Sequence, residues 1–330
     1  MPDTFCISLM FIGLYCGYKY LDKAHPLYLI LYIVLSSLAM LTKIPAGIYL
    51  VIILMMTFNS KTELKHKIII GLSSTIPLLL AYLWHFVWNP HLAQQYENWY
   101  NSGKTLSVSF NEIKFNLDKT FANFYFSSFY SYILFSLFIF GLFLLFYKKN
   151  LNLIFAYSGV FILFVLYIFK SGFYFYLHNY YIIPFVPVMA LVAGYAVSFI
   201  HKKWLFSLII FICIGESIAN QQHDFFIKKS ELYKMNLETI TDSISIKTDL
   251  IAINGEGNPQ QIYLTHRKGW SCNNDQILDS VFVNKITRKG CKYLIINQHA
   301  FSEEINREIV FENSDFKIFR LSVFCAIGPS

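Results

Sequence analysis

A few cationic and hydroxyl-bearing side chains stand where long apolar segments of the sequence begin or end. Lys43 follows an apolar run in LAMLTKIPAG, and His178, Tyr180 and Tyr181 open the stretch HNYYIIPFVPVMALVAGYAV. Lysine and histidine form charge-assisted hydrogen bonds with phosphate, and tyrosine hydroxyls add further donors. These residue types in apolar surroundings favour a site for an anionic group on a lipid.

Two prolines interrupt the apolar stretch directly after this polar start. Pro184 and Pro187 follow Tyr181 by one to two helical turns, and a proline inside a helix removes a backbone hydrogen bond and bends the helix. His178 and Tyr181 are three residues apart and would share one face of a helix. Since freed backbone groups at membrane depth are tolerated where they line a cavity, the sequence predicts a pocket below these residues.

The composition of the chain is typical of a polytopic membrane protein. Of its 330 residues, 55% are hydrophobic and only 14% are charged, and the mean hydropathy is +0.46. The net charge of +7 comes from lysines clustered between apolar segments. We attribute this charge to membrane topology and infer no nucleic-acid binding.

Eight apolar segments approach the length needed to cross a hydrocarbon core of about 30 Å. The predicted spans are Asp3–Tyr18, Pro26–Leu41, Ala46–Phe58, Ile68–Trp88, Phe129–Tyr147, Leu151–Phe169, Tyr180–Ile200 and Trp204–Ile218. Lysines favour the connections on the inner side of a membrane. We therefore assign to the inner side the connections that carry the following lysines: Lys19, Lys23, Lys61, Lys65, Lys67, Lys148, Lys149, Lys202 and Lys203. Met1, the long loop Asn89–Ser128 and the C-terminal part of the chain then lie outside.

The predicted fold is therefore mainly α, with a helical membrane domain over residues 1–218 and a small outer α/β domain over 219–330. In the latter, TDLIAING and CKYLIINQ indicate buried strands, DQILDSVFVNKITRKG an amphipathic helix, and DFKIFRL a closing strand. The six cysteines show no metal-ligand spacing. The sequence leaves two alternatives for Cys272 and Cys291, a disulfide between them or two free buried thiols.

The predicted orientation collects several polar and aromatic residues at the outer ends of spans. Lys43 carries the functional interpretation best, because the positive-inside tendency disfavours a lysine in a short outer connection. Its neighbours have structural alternatives: Asp3 as a helix cap, Lys170 as a lysine reaching the headgroups, and Trp88 as a membrane-interface anchor. The full set is Asp3, Lys43, Trp88, His91, Lys170, His178, Tyr180 and Tyr181.

Two of these stretches resemble motifs of a known family. LTKIPAG is similar to an LTKGPG-type turn, and HNYYIIPFVPVMALVAGYAV is similar to a proline-containing span that opens with R/H-x-YY. Both motifs belong to the GT-C glycosyltransferases related to protein O-mannosyltransferases and to the bacterial lipid A aminoarabinose transferase. YLTHRKGW, residues 263–270, also resembles a segment in the outer domain of bacterial members.

The resemblance implies an enzyme of a bacterial inner or plasma membrane that takes a sugar from a polyprenyl-phosphate carrier. The sugar would pass to a protein, lipid or glycan acceptor on the outer side, and no particular metal is implied. The loop Asn89–Ser128 would help to cover the acceptor. The carrier phosphate would be bound by Lys43, Lys170, His178, Tyr180 and Tyr181.

The general base is the point at which the chain departs from the family pattern. Asp3 resembles the acid of a PD dipeptide in the family, and it is the catalytic candidate of this chain. Because the family's own general base lies in an outer loop before that dipeptide, we expect the chain to be an N-terminally truncated form. Glu97, Glu112 and Asp118 in the long loop are alternative acids.

Three other functions remain open at the level of sequence. A cell-envelope polysaccharide polymerase or ligase would favour arginines in the loop Asn89–Ser128, which contains none. A transporter would favour inverted repeats with broken helices in matching halves, whereas only one span is strongly interrupted by proline. A non-catalytic membrane subunit is the third alternative.

Overall fold

The computed structural model describes residues 2–95, 103–256, 258–301 and 303–321 of the chain. They form two compact units, Met1–His223 and Asp224–Ser330, which we call the N-terminal unit and the C-terminal unit. The predicted domain boundary at residues 218 and 219 falls within the last helix of the N-terminal unit, which ends at Gln221.

The N-terminal unit is built from α-helices joined by short turns. Turns of 3-10 type cover Ile44–Tyr49 and Asn179–Ile182, and π-helical turns cover Leu83–Trp88 and Asn123–Ser127. The α-helices are α1 (Pro2–Lys23), α2 (Pro26–Thr42), α3 (Leu50–Asn59), α4 (Leu64–Ser73), α5 (Thr75–Tyr82), α6 (Asn89–Gln95), α7 (Leu106–Lys114), α8 (Leu117–Ala122), α9 (Tyr132–Tyr147), α10 (Leu151–Ser171), α11 (Phe173–Leu177), α12 (Val186–Val197) and α13 (Lys203–Gln221).

Several of these helices are compatible with an integral membrane protein. In the part of the chain that the structure describes, four are long and apolar enough to cross a bilayer: Pro2–Lys23, Leu64–Gln95, Leu151–Ser171 and Lys203–Gln221. A fifth results if Leu117–Ser127 and Tyr132–Tyr147, which meet at 95°, count as one broken span. The apolar helices Pro26–Thr42, Ile44–Phe58 and Val186–Val197 are shorter. By length and composition, the described residues therefore contain four candidate spans, or five with the broken pair.

The seventh predicted span, Tyr180–Ile200, differs most from the structure. Its first residues form the 3-10 turn Asn179–Ile182, and α12 begins only at Val186, with a proline in its first turn. Prolines are tolerated there because the first backbone N–H groups of a helix have no intrahelical acceptor. The 12 residues of α12 measure about 18 Å, at about 1.5 Å per residue, which is short for a complete span.

The core of the N-terminal unit combines aliphatic side chains with stacked aromatic rings, and it contains one close helix contact. Phe164 of α10 stacks on Phe185 with ring centroids 4.7 Å apart, and both side chains are buried. An added Cβ at Gly141 of α9 would lie 2.2 Å from the carbonyl oxygen of Val192 in α12. The glycine therefore allows α9 and α12 to approach closely.

The N-terminus of α9 is capped by a carboxylate from α13. Glu216 accepts hydrogen bonds from the hydroxyl of Ser131 and from the backbone N–H groups of Tyr132, at 3.0 Å, and Ile133, at 3.2 Å. The first N–H groups of a helix need acceptors, and a negative charge there also interacts favourably with the helix dipole. Glu216 thus fixes α9 against α13.

The C-terminal unit contains a five-stranded sheet in the order β2-β1-β3-β5-β4. β1 is parallel to β2 and β3, whereas β5 is antiparallel to β3 and β4. The strands are β1 (Leu250–Ile253), β2 (Lys268–Ser271), β3 (Cys291–Asn297), β4 (Ile309–Glu312) and β5 (Phe316–Arg320). The helices are α14 (Leu237–Ile244), α15 (Gln260–Leu264), α16 (Asn274–Leu278) and α17 (Ser280–Arg288).

The strands expected in this part of the sequence are present, and the one expected helix is divided into two. The two buried strands are β1 and β3, and the closing strand is β5. The single helix expected over residues 275–290 is instead two, α16 and α17, because Asp279 between them has an extended backbone and caps Val281 through its side chain.

Cys272 and Cys291 are free buried thiols, so the disulfide alternative is wrong in this structure. Burial raises the pKa of Cys272 to about 11 and that of Cys291 to about 12. Both side chains are therefore protonated at neutral pH and act as small apolar groups of the core.

Candidate functional site

Asp3 and Lys43 form an ion pair between two separate helix ends. Asp3 lies in the first turn of α1, with only 2% of its side chain exposed, and Lys43 ends α2 with an extended backbone. The ammonium group of Lys43 donates a hydrogen bond to Oδ1 of Asp3. The side chain of Lys43 is 26% exposed, so the pair has a buried acid and an accessible cation.

Aromatic rings from a third segment surround the ammonium group. Nζ of Lys43 lies 5.2 Å from the ring centroid of Tyr180 and 5.5 Å from that of Tyr181. The imidazole of His178 stacks on the same two rings, at 5.1 and 5.8 Å. Such cation–π contacts are worth about 0.5–2 kcal/mol and orient the lysine. We call Asp3, Lys43, His178, Tyr180 and Tyr181 the Lys43 cluster.

The rings of the Lys43 cluster meet for a different reason from the one expected. His178 has an extended backbone, with φ −120° and ψ 109°, and a 3-10 turn follows it directly. The expectation that His178 and Tyr181 share the face of one α-helix is therefore wrong. The tight turn, closed by the hydrogen bond from the N–H of Tyr181 to the carbonyl of His178 at 3.1 Å, stacks the rings instead.

Two tyrosines that sequence reasoning missed hold this turn in place. Tyr49, fully buried, donates its hydroxyl to the carbonyl oxygen of Pro184 at 2.7 Å. Tyr167 of α10 stacks on Tyr181 with centroids 5.8 Å apart and ring planes 9° apart. Tyr49 thereby joins the turn that follows Lys43 to the proline-containing turn. The only available sequence signal was a hydroxyl within an apolar run, where phenylalanine would serve for packing alone.

Lys170 contributes to a neighbouring structure rather than to the Lys43 cluster. The backbone N–H of Lys104 donates to the carbonyl of Lys170 at 3.0 Å, and Nζ of Lys170 donates to the carbonyl of Lys104 at 3.4 Å. Lys170 thus joins the end of α10 to the segment before α7. This placement does not match the phosphate-binding role expected for it.

A second ion pair completes this junction. Lys104 pairs with Glu112 of α7, and the other carboxylate oxygen of Glu112 accepts from the N–H of Phe173 at 2.8 Å. Nζ of Lys104 lies 3.7 Å from the ring centroid of Phe173. We call Lys104, Glu112, Lys170 and Phe173 the Lys104 latch, because they fix the segment around α7 to the turn between α10 and α11.

The other candidates from the sequence lie apart or outside the described residues. Trp88 and His91, on the helix Leu64–Gln95, contact each other with ring centroids 5.6 Å apart. Asp118 is exposed in α8, and Glu97 lies outside the described residues. Across the described ranges, no three His, Cys, Asp or Glu side chains are grouped so that they could hold a metal ion.

Comparison of the chain with protein-family models, with curated proteins and with solved structures gives no match. The resemblance to the GT-C glycosyltransferases therefore rests on the sequence motifs alone. Any functional conclusion depends on the chemistry that the Lys43 cluster offers.

Proposed function

We propose that the chain is an integral-membrane glycosyltransferase that uses a polyprenyl-phosphate-linked sugar as donor. One observation carries the proposal: an acid, a lysine, an imidazole and two phenols from three distant segments converge in the Lys43 cluster. In this proposal all eight apolar segments lie in the membrane, and the cluster and the C-terminal unit lie on its outer side. The acceptor is a hydroxyl group of a protein, lipid or glycan.

The Lys43 cluster has the groups that a phosphate monoester or diester requires. The partly exposed ammonium of Lys43 can exchange Asp3 for a phosphate oxygen without leaving its position between the rings of Tyr180 and Tyr181. The imidazole of His178 and the phenol hydroxyls supply additional donors. In the resting protein Asp3 neutralises the lysine, which avoids an unpaired buried charge.

In the proposed reaction, the acceptor hydroxyl oxygen forms a bond to C1 of the sugar while the bond from C1 to the phosphate oxygen breaks. The electron pair of the broken bond leaves with polyprenyl phosphate, and Lys43 and its neighbouring donors stabilise the charge that develops there. The proton of the acceptor passes to a carboxylate. We assign this role of general base to the carboxylate of Asp3, which the incoming phosphate releases from Lys43.

The phosphate assignment is tested on the full chain in lipid nanodiscs, with polyprenyl monophosphate as probe and the corresponding polyprenol as the uncharged control. We expect Lys43→Ala and His178→Ala each to weaken binding of the phosphate about tenfold or more, equivalent to about 1.4 kcal/mol. Binding of the polyprenol should not change. Lys114→Ala, which removes an exposed lysine of α7, is the matched control.

Transfer of a radiolabelled sugar from a polyprenyl-phosphate donor is measured on the same variants. Equal phosphate binding by wild type and Lys43→Ala would contradict the site. Binding without transfer to any hydroxyl acceptor would contradict the enzyme and favour a non-catalytic subunit or a transporter. Transfer from a polyprenyl diphosphate-linked oligosaccharide alone would favour the polymerase or ligase alternative.

A further inference from the structure

A cavity of about 860 Å³ lies at the opposite end of α1 from the Lys43 cluster. Asp3 stands at the start of α1, whereas Tyr18, Leu21 and Asp22 near its end line the cavity. The 22 residues of α1 measure about 33 Å, roughly the thickness of a hydrocarbon core. The cavity is therefore separate from the proposed phosphate site and lies near the other end of α1.

The cavity combines an apolar wall with a polar opening. The wall is formed by side chains of α3, α10 and α12: Ile52, Met55, Met56, Leu153, Ala156 and Leu191. The opening is lined by Asp22, Lys61, Glu63 and His66. Its volume is that of a ligand pocket rather than of a packing defect, and its two-sided chemistry fits an amphipathic molecule.

Side-chain hydrogen bonds fix the opening in this shape. The hydroxyl of Tyr20 and Nδ1 of His66 are 2.9 Å apart, and the hydroxyl of Thr62 donates to the carbonyl of Leu21. Nζ of Lys67 donates to the carbonyl of Ser60 at 2.8 Å. These contacts hold the segment Ser60–Glu63 against the end of α1. The backbone that carries the charged side chains of the opening is therefore fixed in position.

The charges of the opening are arranged for a ligand with both signs. Asp22 and Glu63 provide two carboxylates and Lys61 provides one ammonium group, all exposed. Within the described ranges, Lys61 and Glu63 form no ion pair, and the nearest cation to Asp22 is Nζ of Lys19 at 3.9 Å. Two acids and one lysine complement a headgroup that carries an ammonium group next to a phosphate.

We propose that this cavity binds one phospholipid whose headgroup ends in a primary ammonium, such as a phosphatidylethanolamine. The acyl chains contact the apolar wall, the ammonium donates to Asp22 and Glu63, and Lys61 binds the phosphate. Carboxylates prefer a primary ammonium because it donates hydrogen bonds, whereas a quaternary ammonium is recognised by aromatic cages. An anionic headgroup such as phosphatidylglycerol has no ammonium group to donate to the two acids. The proposal does not depend on the glycosyltransferase function.

The test uses the full chain and three phospholipids with identical acyl chains, phosphatidylethanolamine, phosphatidylcholine and phosphatidylglycerol, with native mass spectrometry as the readout. We expect phosphatidylethanolamine to bind about tenfold more tightly than phosphatidylglycerol, a difference of about 1.4 kcal/mol. The double variant Asp22→Asn with Glu63→Gln should lose this preference. Asp275→Asn with Glu303→Gln, two exposed acids of the C-terminal unit, should keep it.

A second variant tests the location independently of charge. Ala156→Trp should fill the apolar wall and reduce the bound phospholipid to the level of the double variant. Ile162→Trp, on the exposed face of the same helix α10, should not. Thermal unfolding of the full chain serves as the folding control for every variant.

Three results would overturn the assignment. They are tighter binding of phosphatidylglycerol, equal binding of all three lipids by the wild type, and a preference for phosphatidylethanolamine that survives both Asp22→Asn with Glu63→Gln and Ala156→Trp.

Discussion

The N-terminal unit contains two lysine–carboxylate pairs of similar composition, Lys43 with Asp3 and Lys104 with Glu112. In both, the ammonium group lies against two aromatic rings. For Lys43 the ring centroids are 5.2 and 5.5 Å away, and for Lys104 they are 3.7 and 5.5 Å away. Residue type and aromatic neighbours alone would assign the two pairs the same role.

The two pairs differ in the hydrogen bonds that their carboxylates accept. Glu112 uses one oxygen for Lys104 and the other for the N–H of Phe173, so its pair fixes backbone to backbone. Among the described residues, Lys43 is the one hydrogen-bond donor to the carboxylate of Asp3. A carboxylate that also accepts from a backbone N–H has a structural role, whereas one whose partner is a single side chain can release that partner to a ligand.

Removal of each lysine should separate the roles of the two pairs by the largest effect. Lys43→Ala should reduce sugar transfer about 100-fold or more, the usual effect of losing one donor to a developing oxyanion. Lys104→Ala should change transfer by less than about threefold, because it removes a contact at the junction with α7 and no donor to the phosphate. Initial rates with a labelled polyprenyl-phosphate donor check both values. Similar losses in the two variants would mean that the pairs do not differ in role.

Asp3→Asn separates a base from a residue that only orients Lys43. If Asp3 accepts the proton, transfer should fall about 100-fold. Polyprenyl monophosphate should bind equally well or more tightly, since the competing carboxylate is gone. Binding is measured in nanodiscs, with thermal unfolding as the control for folding. A parallel loss of binding and transfer would show that Asp3 acts through the position of Lys43.

The Lys104 latch can be opened through its neighbouring glycine. Gly172 has φ +56°, and an added Cβ there would lie 2.4 Å from Oε2 of Glu112. Gly172→Ala should cost about 1–3 kcal/mol, because its φ of +56° with ψ of −131° is a backbone conformation that residues with a Cβ rarely adopt, and it should displace the carboxylate. We expect faster hydrogen exchange over residues 103–114. Gly71→Ala in α4, where a Cβ meets no atom within 4 Å, is the matched control, and equal exchange in both variants would contradict the latch.

A smaller effect is expected when the charge of Glu112 alone is removed. Lys104 and Glu112 are 22% and 25% exposed, so solvent screens the pair. Glu112→Gln should lower the free energy of unfolding by about 0.2–1 kcal/mol, and high salt should reduce the difference. Thermal unfolding at low and high ionic strength measures it. A loss that does not respond to salt would indicate packing rather than charge.

A third lysine–carboxylate pair, Lys292 with Asp249 in the C-terminal unit, differs from the other two because its lysine is exposed. Asp249 accepts from Lys292 at 2.6 Å and from the N–H of Ile246 at 3.2 Å. The hydrogen bond from Lys292 is the main reason that the pKa of Asp249 lies below its usual value. Because the folded pKa is lowered, the pair stabilises the unit above the unfolded pKa of about 4, and this contribution is lost as pH falls further.

Hydrogen exchange of β1 and β3 in the full chain measures this dependence. Asp249→Asn should reduce protection at pH 6 and remove part of its decrease upon acidification. Asp275→Asn, an exposed acid in the first turn of α16, is the control. An unchanged acid profile in Asp249→Asn would assign the pH dependence to other carboxylates.

Local chemistry made several features predictable from the sequence. Apolar segments indicated helices, and Pro184 with Pro187 indicated a break. The alternation in DFKIFRL indicated β5. Residues Asp3, Lys43, His178, Tyr180 and Tyr181 were selected because their types are unusual at the ends of apolar segments, and the structure places all five in one cluster. These inferences used the residues next to each feature and, for Lys43, the distribution of lysines among the connections.

The tertiary structure decided which partners these residues have. Asp3 lies 40 positions from Lys43, Tyr49 lies 135 positions from Pro184, and Glu112 lies 61 positions from Phe173. A contact between two single side chains at such separations leaves no periodic pattern, because only the packing of helices brings them together. For the same reason Lys170, which the sequence grouped with Lys43, was found to join a different pair of segments. The sequence determined which groups were available for chemistry. The packing determined that Glu112 accepts from a backbone N–H as well as from Lys104, whereas among the described residues the carboxylate of Asp3 accepts from Lys43 alone.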